Sequence, residues 1–232
     1  MEATFQRIGD IFKYFPVRFI RLVRHLFFLE KHTYSKNYFV SLAFYLAEIP
    51  IHILDILGLG EWIELGLIAF QKNDRKLLEE ENEIALKYFK KFSWVSRIRI
   101  NEQRRTGTRK GRIVYVSGSI INSYGSIQND VLVHEMVHVW QYFEKGLVYI
   151  PRALWAQKTN EGYNYGGKEA LEKAIQSGIG LDFFNYEQQA ALVQDHYRGL
   201  SFLKYRYSFE EPDIIQPIFE KILKQSGIHP FL

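Results

Sequence analysis

The segment DVLVHEMVHVWQYFEKG, residues 130–146, decides how this chain folds and what it can bind. Asp130 is a residue type that caps helix N-termini and Gly146 is one that ends helices, so the sequence predicts a single helix over residues 131–145. The apolar residues of this helix recur every three or four positions and form one stripe: Leu132, Met136, Val139, Trp140 and Phe143. The opposite side of the helix, which carries the two histidines, also carries Val133 and Val137. We therefore expect the helix to be buried on nearly all sides.

Two histidines lie on the side of this helix that faces away from the apolar stripe. His134 and His138 are four residues apart, and Gln141 lies on the same side of the helix. A histidine that only fills a core would lie in the stripe, so the pattern favours convergence of both rings on one metal ion over chance occurrence. Glu135 projects between the two faces, where a carboxylate can act as general base on a metal-activated water.

A catalytic zinc site needs a third protein ligand and one open position. The chain has no cysteine, so that ligand must be His, Asp or Glu. The best candidate is Glu187 in the segment FFNYEQQAALVQDHYRG, where Asn185 and Gln188 form a predicted capping box and Gly199 ends the helix. The alternative third ligands are Glu161, Glu169, Asp182, His196 and His229.

Several other residues near these two helices have candidate roles. Asp195 is interpreted as a surface carboxylate, with a hydrogen bond to a ligating histidine as the alternative. Tyr163 and Tyr165 precede a glycine pair, and a tyrosine hydroxyl there can donate to the oxyanion of a tetrahedral intermediate. Packing in the core is the favoured interpretation for both tyrosines, as it is for Trp140 and Trp155.

The region before the histidine helix predicts an α+β architecture. The segment NDRKLLEEENEIALKYFKKF, residues 73–92, has acids early and lysines late, as an amphipathic helix should. Two strand-like runs follow at residues 96–103 and 111–120, and strands followed by helices indicate an α+β fold. The basic residues of segment 104–112 are interpreted as a solvated hairpin loop, and we expect no nucleic-acid binding. We assign residues 73–232 to one domain.

Residues 1–72 predict a helical, apolar N-terminal region. Residues 11–31 have the pattern of a basic amphipathic helix, at least from Pro16 onward, with Phe12, Phe15 and Phe19 in its apolar stripe. We expect this stripe to pack on the domain or, alternatively, to lie on an anionic membrane. Residues 38–70 are the most apolar part of the chain, but charged residues interrupt them before the roughly 18 uncharged positions of a spanning helix are reached. We therefore predict two or three short buried helices here, and peripheral membrane contact through residues 11–70 stays open.

Composition places few limits on the protein beyond its size class. The chain has 232 residues, a net charge of +4 and 47% hydrophobic residues, which suits one sizeable core. The N-terminus MEATFQRIGD lacks the order of a secretory signal peptide. The expected location is cytoplasmic, with membrane association left open.

Two segments resemble a known family. VLVHEMVHVWQY and NYEQQAALVQDHY are similar to small metallopeptidases related to the core domain of extracellular contractile injection systems, among them bacterial vgr-related proteins. The similarity covers roughly residues 75–200 and consists of an HE-x-x-HVxQ helix and a later Glu-Gln-Gln-Ala segment. The family resembles minimal gluzincins, which implies a zincin-like domain, zinc on His134, His138 and Glu187, and Glu135 as base.

The predicted function is that of a zinc-dependent metallopeptidase that hydrolyses peptide bonds in a peptide or protein substrate. Residues 1–72 lie outside the resemblance and are unusually apolar. They motivate the alternative hypothesis of a non-catalytic membrane- or partner-binding module with a structural or vestigial zinc site.

Overall fold

The computed structural model describes residues 2–27, 38–70, 74–105, 107–108 and 113–228. The fold is α+β and mostly helical, with a small mixed sheet. The described residues form nine α-helices: α1 (Glu2–Leu26), α2 (Tyr38–Ile56), α3 (Leu59–Phe70), α4 (Glu79–Phe89), α5 (Asn129–Lys145), α6 (Tyr149–Ala156), α7 (Gly167–Ser177), α8 (Tyr186–Leu200) and α9 (Pro212–Gln225). The strands are β1 (Arg75–Lys76), β2 (Arg99–Asn101), β3 (Tyr115–Ser117) and β4 (Ile120–Asn122).

The sheet has the order β1-β2-β4-β3, with β3 at one edge of the described strands. β2 pairs with β4 in parallel, whereas β1–β2 and β3–β4 are antiparallel. The run 111–120 was predicted as one strand, but it contains the β3–β4 turn, where Gly118 adopts a φ of 62°. Only Arg99–Asn101 of the run 96–103 forms a strand, because Ser93–Arg97 is a 3-10 helix.

The predicted hairpin loop at residues 104–112 is wrong, because β2 and β3 are not neighbours in the sheet. The Arg104 side chain donates to the Tyr115 hydroxyl at 2.9 Å, which ties the start of the segment to β3. Arg109, Lys110 and Arg112 lie outside the described residues.

The histidine helix is α5, and it packs most extensively against α8. The expected burial on nearly all sides is confirmed for residues 132–142, which are all buried, whereas Glu144 in the last turn is exposed. Gly146 ends the helix with a φ of 75°, as predicted. The assignment of Asp130 as N-cap is wrong.

Asp130 lies inside the first turn of α5, and Gln128 precedes the helix. Its buried carboxylate accepts hydrogen bonds from Gln194 and Arg198 of α8 and from Arg206. The residue therefore joins two helices and does not cap one. The helix predicted at 73–92 also begins later, at Glu79, because Arg75 and Lys76 pair with β2.

Helix α1 faces the protein with the side opposite to the predicted one. Phe12, Phe15 and Phe19 of the aromatic stripe are 76%, 50% and 51% exposed. Arg7 and Arg18, on the opposite side, are buried and pair with Glu64 and Glu61 of α3. The aromatic stripe therefore does not pack on the domain, and the basic side does.

Helices α2 and α3 show the same inversion. The prediction of two or three short buried helices over residues 38–70 is wrong about burial: the charged residues Glu48, Asp55, Glu61 and Glu64 are buried, whereas many apolar residues are exposed. The exposed positions of 38–64 are all apolar: Tyr38, Phe39, Ala43, Leu46, Ala47, Pro50, Ile53, Leu54, Leu57, Trp62 and Ile63. α2 has the length and mean hydropathy of a helix that can cross a membrane, and 17% of it is buried.

Buried ion pairs connect these N-terminal helices to the rest of the fold. Glu48 of α2 receives two hydrogen bonds from Arg152 of α6, and Asp10 of α1 pairs with Arg97. A domain boundary at residue 72 stays a prediction.

We expect Glu64→Ala to lower the free energy of unfolding by about 3–5 kcal/mol, because it leaves the buried Arg7 without its counter-charge. Chemical denaturation measures this change. The matched control is Glu169→Ala, which removes a solvent-exposed pair with Lys173 and should leave the free energy of unfolding nearly unchanged. Equal effects of the two variants would show that the buried pair does not stabilise the docking of α1 on α3.

Candidate metal centre

Helices α5 and α8 bring three side chains together at a buried point. Glu187 Oε2 lies 3.4 Å from His134 Nε2 and 3.6 Å from His138 Nε2. The three potential ligand atoms lie within 4.8 Å of one another. His134 and His138 share one face of α5 because they are one turn apart, and Glu187 reaches them from the first turn of α8. Asn185 and Gln188 form the predicted capping box that starts α8.

The orientation of His138 is fixed by a chain of two glutamines. Gln189 donates to the Phe184 carbonyl at 3.0 Å, and Gln141 donates to the Tyr186 carbonyl and to Gln189 Oε1, both at 2.9 Å. Backbone carbonyls only accept, so both amides have one possible orientation. Gln141 Oε1 then faces His138 Nδ1 at 2.8 Å, which places the ring hydrogen on Nδ1.

The consequence is that two acceptors face each other. With its hydrogen on Nδ1, neutral His138 presents the Nε2 lone pair to the Glu187 carboxylate. Glu187 Oε1 already accepts from Gln157 at 2.8 Å, whereas Oε2 is buried without a hydrogen-bond partner among the described residues. A positive charge, from a proton or a metal ion, must therefore lie between the ring and the carboxylate.

Without a metal, the protein resolves this conflict by titration. Burial alone would lower the pKa of His138, but the carboxylates of Glu187 and Glu135 raise it to about 9. Burial alone would raise the pKa of Glu187, but the two histidines hold it well below its usual range. A divalent cation can replace this proton, because two neutral imidazoles and a carboxylate are ligands that zinc prefers.

Glu135 is buried beside the three converging side chains and has a different environment from Glu187. Burial raises the pKa of Glu135, and Glu187 adds to this effect, while His138 and His134 oppose it. A carboxyl group whose pKa is raised towards neutrality can both accept and return a proton. Glu135 and Glu187 are thus two carboxylates with different chemistry at one site.

The site opens into a cavity of about 300 Å³. The cavity is lined by the three converging side chains and Glu135, by Val114–Val116 at the sheet edge, and by α6. The lining residues of α6 are Tyr149, Ile150, Ala153 and Leu154, and Gln157 and Tyr163 complete the lining. It therefore has the size and mixed polarity of a small-ligand or peptide side-chain site.

The structure separates the two tyrosines of the segment before α7. Tyr163 lines the cavity, with its ring centroid 5.8 Å from that of His134, and burial raises its pKa. Tyr165 is buried in the core and donates to Asp195 at 3.0 Å. Tyr163 stays a candidate oxyanion donor, and the core interpretation is confirmed for Tyr165. Tyr149, which the sequence did not single out, is a second cavity tyrosine.

The alternative third ligands lie elsewhere. Glu169 pairs with Lys173 and Asp182 with Lys145 at the surface, and Glu161 is exposed. His196 is buried, but its Nδ1 contacts the Tyr88 hydroxyl at 3.0 Å. His229 lies outside the described residues.

Asp195 is neither a surface carboxylate nor, among the described residues, a hydrogen-bond partner of a ligating histidine. It is fully buried and accepts from the backbone N–H groups of Arg206 and Tyr207 at 2.7 and 2.9 Å. It therefore holds the segment that follows α8. Trp140 is buried as predicted, whereas Trp155 is only half-buried and packs against Phe44 of α2.

Sequence reasoning missed the roles of the glutamines. The sequence places Gln141 on the side of the histidines without a function, and its spacing of three from His138 is the available signal. Gln157 and Gln189 gave no signal, since their roles depend on how α6 and α8 pack.

No protein-family model, curated protein or solved structure matches the chain.

Proposed function

We propose that this protein is a zinc metallopeptidase of the gluzincin type, with a zincin-like domain that holds zinc on His134, His138 and Glu187. The observation that carries the proposal is the buried, hydrogen-bond-deficient Glu187 Oε2 facing both histidines across the α5–α8 interface. The family resemblance of the histidine and Glu-Gln-Gln-Ala segments supports it. Such a site, when it holds zinc, polarises a carbonyl group and lowers the pKa of water.

Glu135 supplies the proton transfers in this proposal. It lies in the cavity wall next to the two histidines, where a carboxylate can accept a proton from a water molecule in the cavity. The same carboxyl group then returns the proton to the leaving nitrogen of the substrate. Exclusion of bulk water by the buried walls strengthens both interactions.

Two further groups support a peptide as the substrate. Tyr163 stays protonated because its pKa is raised, so its hydroxyl can donate to the oxygen on which negative charge develops. β3 lies at the edge of the described sheet and lines the cavity with Val116. An extended peptide that adds to this edge through its backbone would share or replace the hydrogen bond of 3.3 Å that the Val116 carbonyl accepts from the Tyr149 hydroxyl.

The proposal predicts metal-dependent cleavage. Full-length protein incubated with a peptide library should cut a subset of peptides, and a zinc chelator should reduce the rate to background because bound zinc is needed. Added Zn²⁺ should restore it. Mass spectrometry of the products measures the cleavage, and activity that survives verified removal of all metal would contradict the proposal.

A second candidate function, contact with a membrane, is favoured by the inverted helices α1–α3. The charged residues of α2 and α3 are buried in ion pairs, and the exposed positions between Tyr38 and Glu64 are all apolar. α1 exposes its aromatic residues together with Lys13 and Arg24. Water disfavours such a surface, and a bilayer stabilises it. We propose that this face lies on or in a lipid bilayer and brings the peptidase site close to membrane-bound substrates. Residence on the cytoplasmic side of the membrane stays a prediction.

The test for membrane contact is co-sedimentation with anionic vesicles. Wild-type protein should sediment with vesicles of phosphatidylcholine and phosphatidylglycerol. The double variant Phe12→Ser, Phe19→Ser should bind at least about 100-fold more weakly, since burial of one Phe contributes about 1.5–3 kcal/mol. Phe209→Ser, at a 97% exposed position outside these helices, is the matched control. Absence of wild-type binding at low and high salt would refute membrane contact.

A further inference from the structure

A second cluster of histidine and glutamate lies within the N-terminal helices. His25 of α1 and Glu48 and His52 of α2 bring one potential ligand atom each to within 4.8 Å of one another. Their side chains are 1–2% exposed. Glu48 and His52 are four residues apart on one helix, so they share a face and can chelate one ion.

The hydrogen bonds of His25 fix its ring in a state that demands a cation. His25 Nε2 lies 3.0 Å from the Tyr45 carbonyl, which can only accept, so this nitrogen carries a hydrogen. In the neutral ring, Nδ1 is then an acceptor, and it faces Glu48 Oε2 at 3.5 Å. This is the same conflict of two acceptors that His138 and Glu187 show.

His52 supplies the second, independent observation. Neither of its ring nitrogens has a hydrogen-bond partner among the described residues, although both are buried. Its ring centroid lies 4.8 Å from that of His25. A buried imidazole without any partner is costly, and a metal ion shared with His25 satisfies both rings at once.

Arg152 also contacts this cluster, and it donates to both oxygens of Glu48. Each carboxylate oxygen has about two lone-pair positions, so the hydrogen bond from Arg152 does not by itself exclude a metal on Oε2. Arg152 therefore orients the carboxylate and reduces its charge. Because Arg152 belongs to α6, which lines the active-site cavity, the cluster joins α1 and α2 to the cavity wall.

We propose that His25, Glu48 and His52 form a second site for a divalent transition metal of the zinc class, with a structural role. The ion joins α1 to α2 at the point where Arg152 connects both to α6. This site shares no ligand with the His134 centre, so either can exist without the other.

Zinc titration of a variant that lacks the first centre tests the second one. Metal-free His134→Ala, Glu187→Gln protein, with its fold verified by circular dichroism, should bind about one Zn²⁺ per chain. Adding His52→Gln or, separately, His25→Gln should abolish this binding. Co²⁺ bound to the double variant should give the visible absorption of a four-coordinate site.

Three results would overturn the proposal. Absence of zinc binding by the folded double variant would mean that His25, Glu48 and His52 form a packed polar cluster that holds no metal. Zinc binding that persists when either His52→Gln or His25→Gln is added would show that the metal does not bind at this cluster. Bound Co²⁺ without the absorption of a four-coordinate site would show the same. The single variant His52→Gln separates this question from the proposed peptidase, since it leaves the His134 centre intact and should keep one zinc and peptide cleavage.

Discussion

Replacing Glu135 with Gln should lower the rate of peptide cleavage by about 10²–10⁴-fold while zinc content stays at the wild-type value. The rate falls because an amide cannot accept the proton of water or return it to the leaving nitrogen, a contribution of this size for general acid–base catalysis. Zinc content is unchanged because Glu135 is not one of the three converging ligands. Initial rates on a peptide from the library and metal analysis of the same samples measure both quantities.

The matched control for Glu135→Gln is Glu144→Gln, a neutralising change on the same helix outside the cavity lining. It should leave both the rate and the zinc content unchanged. Equal cleavage by Glu135→Gln and wild type would refute the assigned proton transfer, even if zinc is bound. Loss of zinc from Glu135→Gln would instead show that this carboxylate is a ligand.

Replacing Glu187 with Gln should weaken zinc binding at the α5–α8 centre by more than about 100-fold. Loss of a residue that only orients a ligand already costs about 10–100-fold, and Glu187 supplies the single carboxylate of the proposed ligand set. Gln157 can still donate to the amide oxygen of the new side chain, which limits damage to the fold. Competition with a zinc-binding dye measures the affinity, in the His52→Gln background so that only this centre is titrated.

Gln141→Leu in the same background should give a smaller loss, about 10–100-fold, because His138 loses the acceptor that fixes its ring. Glu169→Gln, an exposed carboxylate proposed as an alternative third ligand, should change nothing. If Glu187→Gln retains wild-type affinity, Glu187 is not the third ligand. If Gln141→Leu exceeds Glu187→Gln in effect, the assignment of ligand and orienting residue is wrong.

The local pattern of α5 was enough to predict its extent and the direction of its histidines. Helical periodicity alone separates the apolar stripe from the face of His134 and His138, and a positive-φ glycine ends the helix. The approach of Glu187 could also be anticipated, since small residues follow it on α8. What local patterns do not contain is the identity of the partners across helices, and for that reason Asp130, Gln157 and Asp195 were misjudged or missed.

The prediction of which side of the N-terminal helices is buried was wrong for a different reason. Periodicity shows that α1 has an aromatic side and a basic side, but it does not say which side faces the protein. If α1 is assumed to lie in water, its aromatic side should face the protein. In the structure, Arg7 and Arg18 face the protein and pair with the acids of α3. Glu61 and Glu64 interrupt an apolar run in the sequence. Acids within such a run could have indicated that their helix faces the arginines of another helix.

The most direct test of the proposed zinc centre is a crystal structure of the purified protein with anomalous data collected at the zinc absorption edge. The proposal predicts a peak about 2.0–2.2 Å from Nε2 of His134 and His138 and from a carboxylate oxygen of Glu187. A structure of zinc-saturated protein with no peak between these side chains, or with a peak that excludes Glu187, would contradict it.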